Sequence, residues 1–133
     1  MDYPTSSDGT RPGILLADDH ELFRQRLRRL LAKESGFVLV GEAADGEEAI
    51  RLACELLPDI VIMDIMMPRL NGIEATRQIT MAFPSIKVIG LSMHGDEGFR
   101  RAMLDAGASV YLLKDNVLHE LPRTLLAIAD RAT

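Results

Sequence analysis

Residues 60–68 read Ile60-Val61-Ile62-Met63-Asp64-Ile65-Met66-Met67-Pro68: four consecutive apolar residues, then a carboxylate, then a proline four positions on. The apolar run lacks polar alternation and is too short for a helix, so it fits a strand covered on both faces, as in a parallel sheet. A carboxylate placed directly after such a run is costly unless something compensates it. Working outward, four more runs rich in Val, Ile and Leu occupy 14–17, 37–43, 88–91 and 110–113.

Segments of helical period separate the runs. The first presents Phe23, Leu27, Leu30 and Leu31 on one stripe and reaches Gly36, which reads as its C-terminal cap. The second places Asp45 and Glu48 at capping-box spacing before Ala49, Ile50, Ala53 and Leu57. The third opens after Pro68 with Asn71 and Glu74 and presents Ala75, Ile79 and Ala82. A fourth aligns Phe99, Ala102, Met103 and Ala106 and stops at Gly107, and a fifth aligns Leu118, Leu121, Leu125 and Ile128. Pro122 conflicts with that last segment, because a proline deep inside a helix costs about 3 kcal/mol. Either the helix begins near Leu118, with Pro122 in its first turn, or it kinks there. Five strand-helix alternations predict a three-layer α/β domain, a doubly wound parallel sheet of order 2-1-3-4-5 with helices on both faces.

The bulk properties agree with one domain. The chain has 133 residues, 47% apolar and 26% charged, with ten Gly, six Pro, one Cys and no Trp. Fifteen Lys plus Arg against twenty Asp plus Glu leave a net charge of -5, which opposes unspecific attraction to phosphate backbones and anionic membranes. Cys54 has no partner for an intramolecular disulfide and no metal-ligand spacing; it reads as a buried or half-buried helix residue in a reducing, cytoplasmic setting. Nothing approaches a membrane span or a signal peptide, and residues 1–12 read as a disordered leader before a domain over 13–133.

Sheets of this type bind ligands beyond the carboxyl ends of their strands, where the strand order reverses. Strand one ends in Asp18-Asp19 and strand three in Asp64. Adjacent strands lie about 4.8 Å apart, so the three carboxylates converge and need a compensating cation. An all-oxygen set with room for water favours Mg²⁺. Strand four ends in Ser92 and strand five in Lys114, adding a hydroxyl and an ammonium suited to a phosphoryl group. Taken singly, Asp18 and Asp19 could cap the first helix, and Ser92 and Lys114 could be ordinary strand-end residues; Asp64 has no capping role. His20, His94 and His119 share no ligand spacing, and His20 is expected on the rim. Arg24, Arg26, Arg28, Arg29 and Lys33 make the first helix basic, by default a solvated face with docking of a partner protein as the functional alternative, and the methionines read mostly as core filler.

At these residues the chain resembles the receiver domain of two-component response regulators. The acid pair, the run Asp64-Ile65-Met66-Met67-Pro68 with Asn71-Gly72, then Ser92 and Lys114 follow the family's order and spacing. Leu91-Ser92-Met93-His94 and residues 107–115 look most like the NarL/LuxR-type subgroup. The resemblance implies the flavodoxin-like fold, Asp64 as phosphoacceptor, and Mg²⁺ held by Asp19, Asp64 and the Met66 carbonyl, with Asp18 acting through a metal-bound water. It implies that Ser92 and Lys114 contact phosphoryl oxygens, that Tyr111 is the aromatic switch, and that Met66 and His94 flank the path of a hydrolytic water. Met66 orients water poorly, so phosphate loss should be slow. It also implies a sensor histidine kinase as partner and a DNA-binding output domain outside this chain. A stand-alone receiver or phosphorelay intermediate is the alternative, and dimerisation through helices four and five or through helices one and five stays open. Many receivers carry proline after the lysine with a cis bond; Asp115 stands there instead, so a trans bond is expected. A haloacid-dehalogenase-type phosphatase would need an acid where Met66 stands, and a pseudo-receiver would not need the intact acid set.

Overall fold

Each apolar run forms a strand and each segment of helical period forms a helix. The computed structural model describes residues 11–93 and 95–132, so the expected leader lies almost wholly outside the described residues. Element order is β1 (Gly13–Ala17), α1 (Glu21–Ala32), β2 (Val38–Ala43), α2 (Gly46–Leu56), β3 (Ile60–Asp64), α3 (Gly72–Ala82), β4 (Lys87–Ser92), α4 (Glu97–Asp105), β5 (Val110–Leu113) and α5 (Val117–Ala132). The five strands pair in parallel in the order β2-β1-β3-β4-β5.

Successive strand residues point to opposite faces, so each central strand feeds two cores. On one face Leu15, Ala17, Val61, Met63 and Val88 pack with Ala49, Ala53, Ala75, Ile79 and Met103, covering the sheet with α2, α3 and α4. On the other, Ile14, Leu16, Ile60, Ile62, Ile89 and Leu91 pack with Leu27, Leu31, Leu121, Leu125 and Ile128 of α1 and α5. Each fully buried Leu or Ile stabilises the fold by about 1.5–3 kcal/mol. β1 and β3 are buried throughout, as their unbroken apolar runs require. β2 is an edge strand, and its Leu39 and Val40 stay half-exposed, so burial on both faces holds for the centre of the sheet only.

Several local expectations are corrected. α1 ends at Ala32 with Lys33 as its right-handed cap, whose N–H reaches the Leu30 and Leu31 carbonyls; Gly36 lies in the following turn. Leu57 is exposed, because it caps α2 in the left-handed region at φ 47° and turns off the apolar stripe. Cys54 is exposed on α2, between the inward-facing Ala53 and the cap. Ala82 and Leu118 lie at helix ends and are also exposed, while Val117 takes the buried place at the start of α5. Pro122 falls in the second turn of α5, with the helix beginning at Val117. Met66, Met81 and Met93 are exposed, so only Met63, Met67 and Met103 among the described methionines fill the core. Gly107 ends α4 as expected, at φ 116°, where a side chain would be strained and would meet Thr80.

Candidate functional site

The backbone fixes the site before any side chain contributes. The Asp18 N–H donates to the Ala43 carbonyl at 3.0 Å and the Ile65 N–H to the Leu91 carbonyl at 3.0 Å, each carrying the parallel ladder past its strand end. In the same way Lys114 N–H donates to the Ser92 carbonyl at 2.8 Å. The register sets Ala17 opposite Met63, Asp64 opposite Leu91 and Ser92 opposite Leu113, so the polar residues share one sheet edge. Gly72 opens α3 against this edge: its N–H donates to the Ile65 carbonyl at 2.8 Å, and a Cβ there would lie 1.9 Å from the Asp64 carbonyl oxygen. Only glycine permits that approach.

The side chains then meet in a small volume. Asp18 and Ser92 are 0% exposed, Asp64 2% and Lys114 8%. Lys114 Nζ lies 2.7 Å from Asp18 Oδ2 and 3.2 Å from Asp64 Oδ2. Its Nζ also lies 4.6 Å from the centroid of the Phe23 ring, a cation–π contact that helps hold the ammonium inward. Apart from that ammonium, Asp18 Oδ2 and Asp64 Oδ2 are buried with no hydrogen-bond partner. Met66 N–H faces Asp64 Oδ1 at 3.4 Å. Burial pushes the Asp64 carboxyl up to about 6, the Asp18 charge adds to the rise, and Lys114 opposes it. Ligand atoms of Asp18, Asp19, His20 and Asp64 all lie within 4.8 Å of one another. Two buried oxygens short of partners, beside the more exposed carboxylate of Asp19, form a hard oxygen set open to solvent, and this set fits a divalent cation such as Mg²⁺.

Asp18, Asp19, Asp64 and Lys114 are therefore brought together as the strand ends predict, with Ser92 buried at the next strand end. Tyr111 is half-buried on the α4 side of the sheet, packed against the cluster that contains Met103. Met66 is 54% exposed on the loop beyond Asp64. His94 lies outside the described residues. The bond between Lys114 and Asp115 is trans, since no cis peptide occurs among the described residues.

Three contributions were not foreseen from sequence. His20 does sit on the rim, yet its ring turns inward: Nδ1 is 3.2 Å from carboxylate oxygens of both Asp18 and Asp19. The basic face of α1 is only partly solvated, because Arg24 donates to the Asp18 carbonyl and pairs with Glu21 and Glu42, while Arg28 also pairs with Glu42. Arg69, in the left-handed region at φ 66°, pairs with Asp45 at 2.8 Å and ties the loop after β3 to the start of α2. A spacing rule for ladder-end acids and their i+2 neighbours could have found His20; the other two depend on tertiary packing. Beside the acids a cleft of about 290 Å³ opens between Leu22, Phe23, Arg26, Met93 and Lys114.

A doubly wound sheet of this order, with paired acids, a buried carboxylate, a hydroxyl and a lysine on its carboxyl edge, defines the receiver class. The chain belongs to the response regulator receiver domain family, whose pattern matches residues 14–126. It is 46% identical over 102 residues to the transcriptional regulatory protein DegU of Brevibacillus brevis, covering 77% of this chain and 43% of that protein. It is 40% identical over 114 residues to the transcriptional regulatory protein LiaR of Bacillus subtilis, covering 86% and 54%. A LuxR-family two-component response regulator from Aurantimonas sp. superposes with TM-score 0.84 at 39% identity, covering 90% of this chain and 86% of that one. The chain thus spans about half the length of these curated relatives. Receiver domains act as phosphoacceptors in partnership with histidine kinases and generally bind Mg²⁺ at an acidic pocket. Among the described residues no helix is long and apolar enough to cross a membrane.

Proposed function

We propose that Asp64 accepts a phosphoryl group from the phosphohistidine of a sensor kinase and that the resulting aspartyl phosphate is the signal this chain transmits. The observation that carries the reading is the buried Asp64 carboxylate, 3.2 Å from Lys114 and clustered with Asp18 and Asp19 at the carboxyl edge of the sheet. An Asp64 oxygen attacks phosphorus in line, the P–N bond to the kinase imidazole breaks, and the imidazole takes up a proton. Lys114 meets the negative charge on the phosphoryl oxygens, so positioning and electrostatics do most of the work. Ser92 donates its hydroxyl to the new oxygens, and the space it leaves lets Tyr111 turn inward, repacking the face formed by α4, β5 and α5. Asp19, Asp64 and the Met66 carbonyl would hold Mg²⁺, with Asp18 acting through a bound water. The ion would supply charge neutralisation at the transferring group.

The chemistry is self-directed, with no turnover of a separate substrate. Met66 stands where a phosphatase of similar design needs a second acid, and because Met66 orients a hydrolytic water poorly, loss of phosphate is slow. Because DegU and LiaR are transcriptional regulatory proteins, the receiver at 13–133 is read as serving a transcriptional output through a DNA-binding unit outside those residues, in the cytoplasm. The test is Mg²⁺-dependent labelling by a small acyl phosphate, followed by intact mass. The chain should gain one phosphoryl group and Asp64→Asn none; equal labelling of both overturns the assignment.

A further inference from the structure

Phosphotransfer does not account for His20. The residue is the N-cap of α1, yet its side chain makes no capping hydrogen bond. Its backbone N–H donates to Asp18 Oδ1 at 2.8 Å, and ring Nδ1 also lies 3.5 Å from the Lys114 ammonium. The ring nevertheless faces the acids, with Nδ1 3.2 Å from Asp18 Oδ1 and 3.2 Å from Asp19 Oδ1, while the side chain remains 62% exposed and reachable from solvent.

We propose that His20 Nδ1 is a conditional metal ligand, which leaves a hard cation to the carboxylates but binds a borderline cation of the Zn²⁺ or Co²⁺ class. This rests on the reading above that the acids form a divalent-cation site. Metal–ligand bonds of about 2.0–2.1 Å at a tetrahedral centre place adjacent donor atoms about 3.3 Å apart. The two spacings from Nδ1 to the acids match that figure. Independently, Asp18 Oδ2 and Asp64 Oδ2 are buried in the same pocket with only the Lys114 ammonium beside them. Imidazole nitrogen suits Zn²⁺ and Co²⁺, whereas Mg²⁺ prefers oxygen and keeps water in preference to nitrogen. The same pocket therefore offers two ligand sets, oxygen alone for Mg²⁺ and oxygen with nitrogen for the borderline ions.

The full chain and its His20→Asn and Asp64→Asn variants are titrated with Zn²⁺ and with Mg²⁺ by calorimetry, and with Co²⁺ by visible absorption. His20→Asn should weaken Zn²⁺ on the order of tenfold, change Mg²⁺ by less than about twofold, and shift the Co²⁺ bands towards those of an all-oxygen site. His119 and His94 are kept in every variant, so their contributions cancel in the comparison. Unchanged Zn²⁺ affinity, or Zn²⁺ and Mg²⁺ weakened by one common factor, overturns the role of His20 and leaves the acid site standing. If Asp64→Asn leaves Mg²⁺ affinity unchanged, the acid site fails and the proposal falls with it.

Discussion

Asp64 is the least comfortable residue of the fold. It is almost fully buried, faces the like charge of Asp18, and has one ammonium to balance both. Its raised carboxyl, about 6, expresses the same discomfort, with burial the leading cause. Neutralising the side chain without changing its shape should therefore stabilise the metal-free chain. Asp64→Asn is expected to gain about 1–3 kcal/mol in urea unfolding at neutral pH with a chelator present, two units of raised carboxyl being worth that order of energy. A loss of stability would show that Lys114 fully compensates the acid. The placement of Asp64 is legible from sequence because an apolar run followed by a charge has few structural explanations. His20 is only partly so: its place two residues after Asp18 puts it beside the acids, but the direction of its ring depends on the Asp18 side chain having bonded its N–H.

At the scale of elements, the helix starts were easier to read than the helix ends. Asp45 and Asn71 cap α2 and α3 as their spacing to Glu48 and Glu74 implies, at 2.8 Å and 3.0 Å. Those signals are local, whereas the end of α1 depends on where the chain must turn to reach the β2 edge, and Gly36 is a false marker for it. Pro122 is tolerated in the second turn of α5 because the carbonyl it orphans lies on Leu118, which is exposed enough for water to reach it. Asp45 has a further consequence for pH. The Glu48 N–H holds its carboxyl below the usual carboxylate range; burial opposes this, and the Arg69 guanidinium adds to the lowering. A carboxyl lowered in the folded state stabilises it above the ordinary value near 3.8, and that contribution is lost as pH falls through the lowered value. Asp45→Ala should cost about 1 kcal/mol at pH 7 by removing the cap. The gap to the parent chain should narrow below about pH 3.8, as the unfolding midpoints at pH 7 and pH 3 will show; a gap that widens in acid would reverse the sign.

Across the whole molecule, the sheet order determines where chemistry occurs. β1 and β3 are neighbours although more than forty residues separate them, because the chain reverses its direction of winding after β2. That topology was legible from the alternation of runs, and with it the convergence of Asp18, Asp19 and Asp64; what stayed hidden were long-range pairs such as Arg69 with Asp45. The same convergence is expected to couple folding to cation binding. The unfolded chain scatters the acids and binds a divalent ion weakly, so an ion that binds only the folded acids adds about 2.7 kcal/mol at one hundred times its dissociation constant. Asp64→Asn removes one donor and should gain far less. The stability order of the two proteins therefore depends on the medium: the variant leads in chelator, and the parent chain draws level or overtakes it in saturating Mg²⁺. Urea midpoints in both media measure this directly. Equal gains in the two proteins would place the ion away from Asp64, whereas a gain confined to the parent chain would tie the acid's destabilising charge to the cation that relieves it.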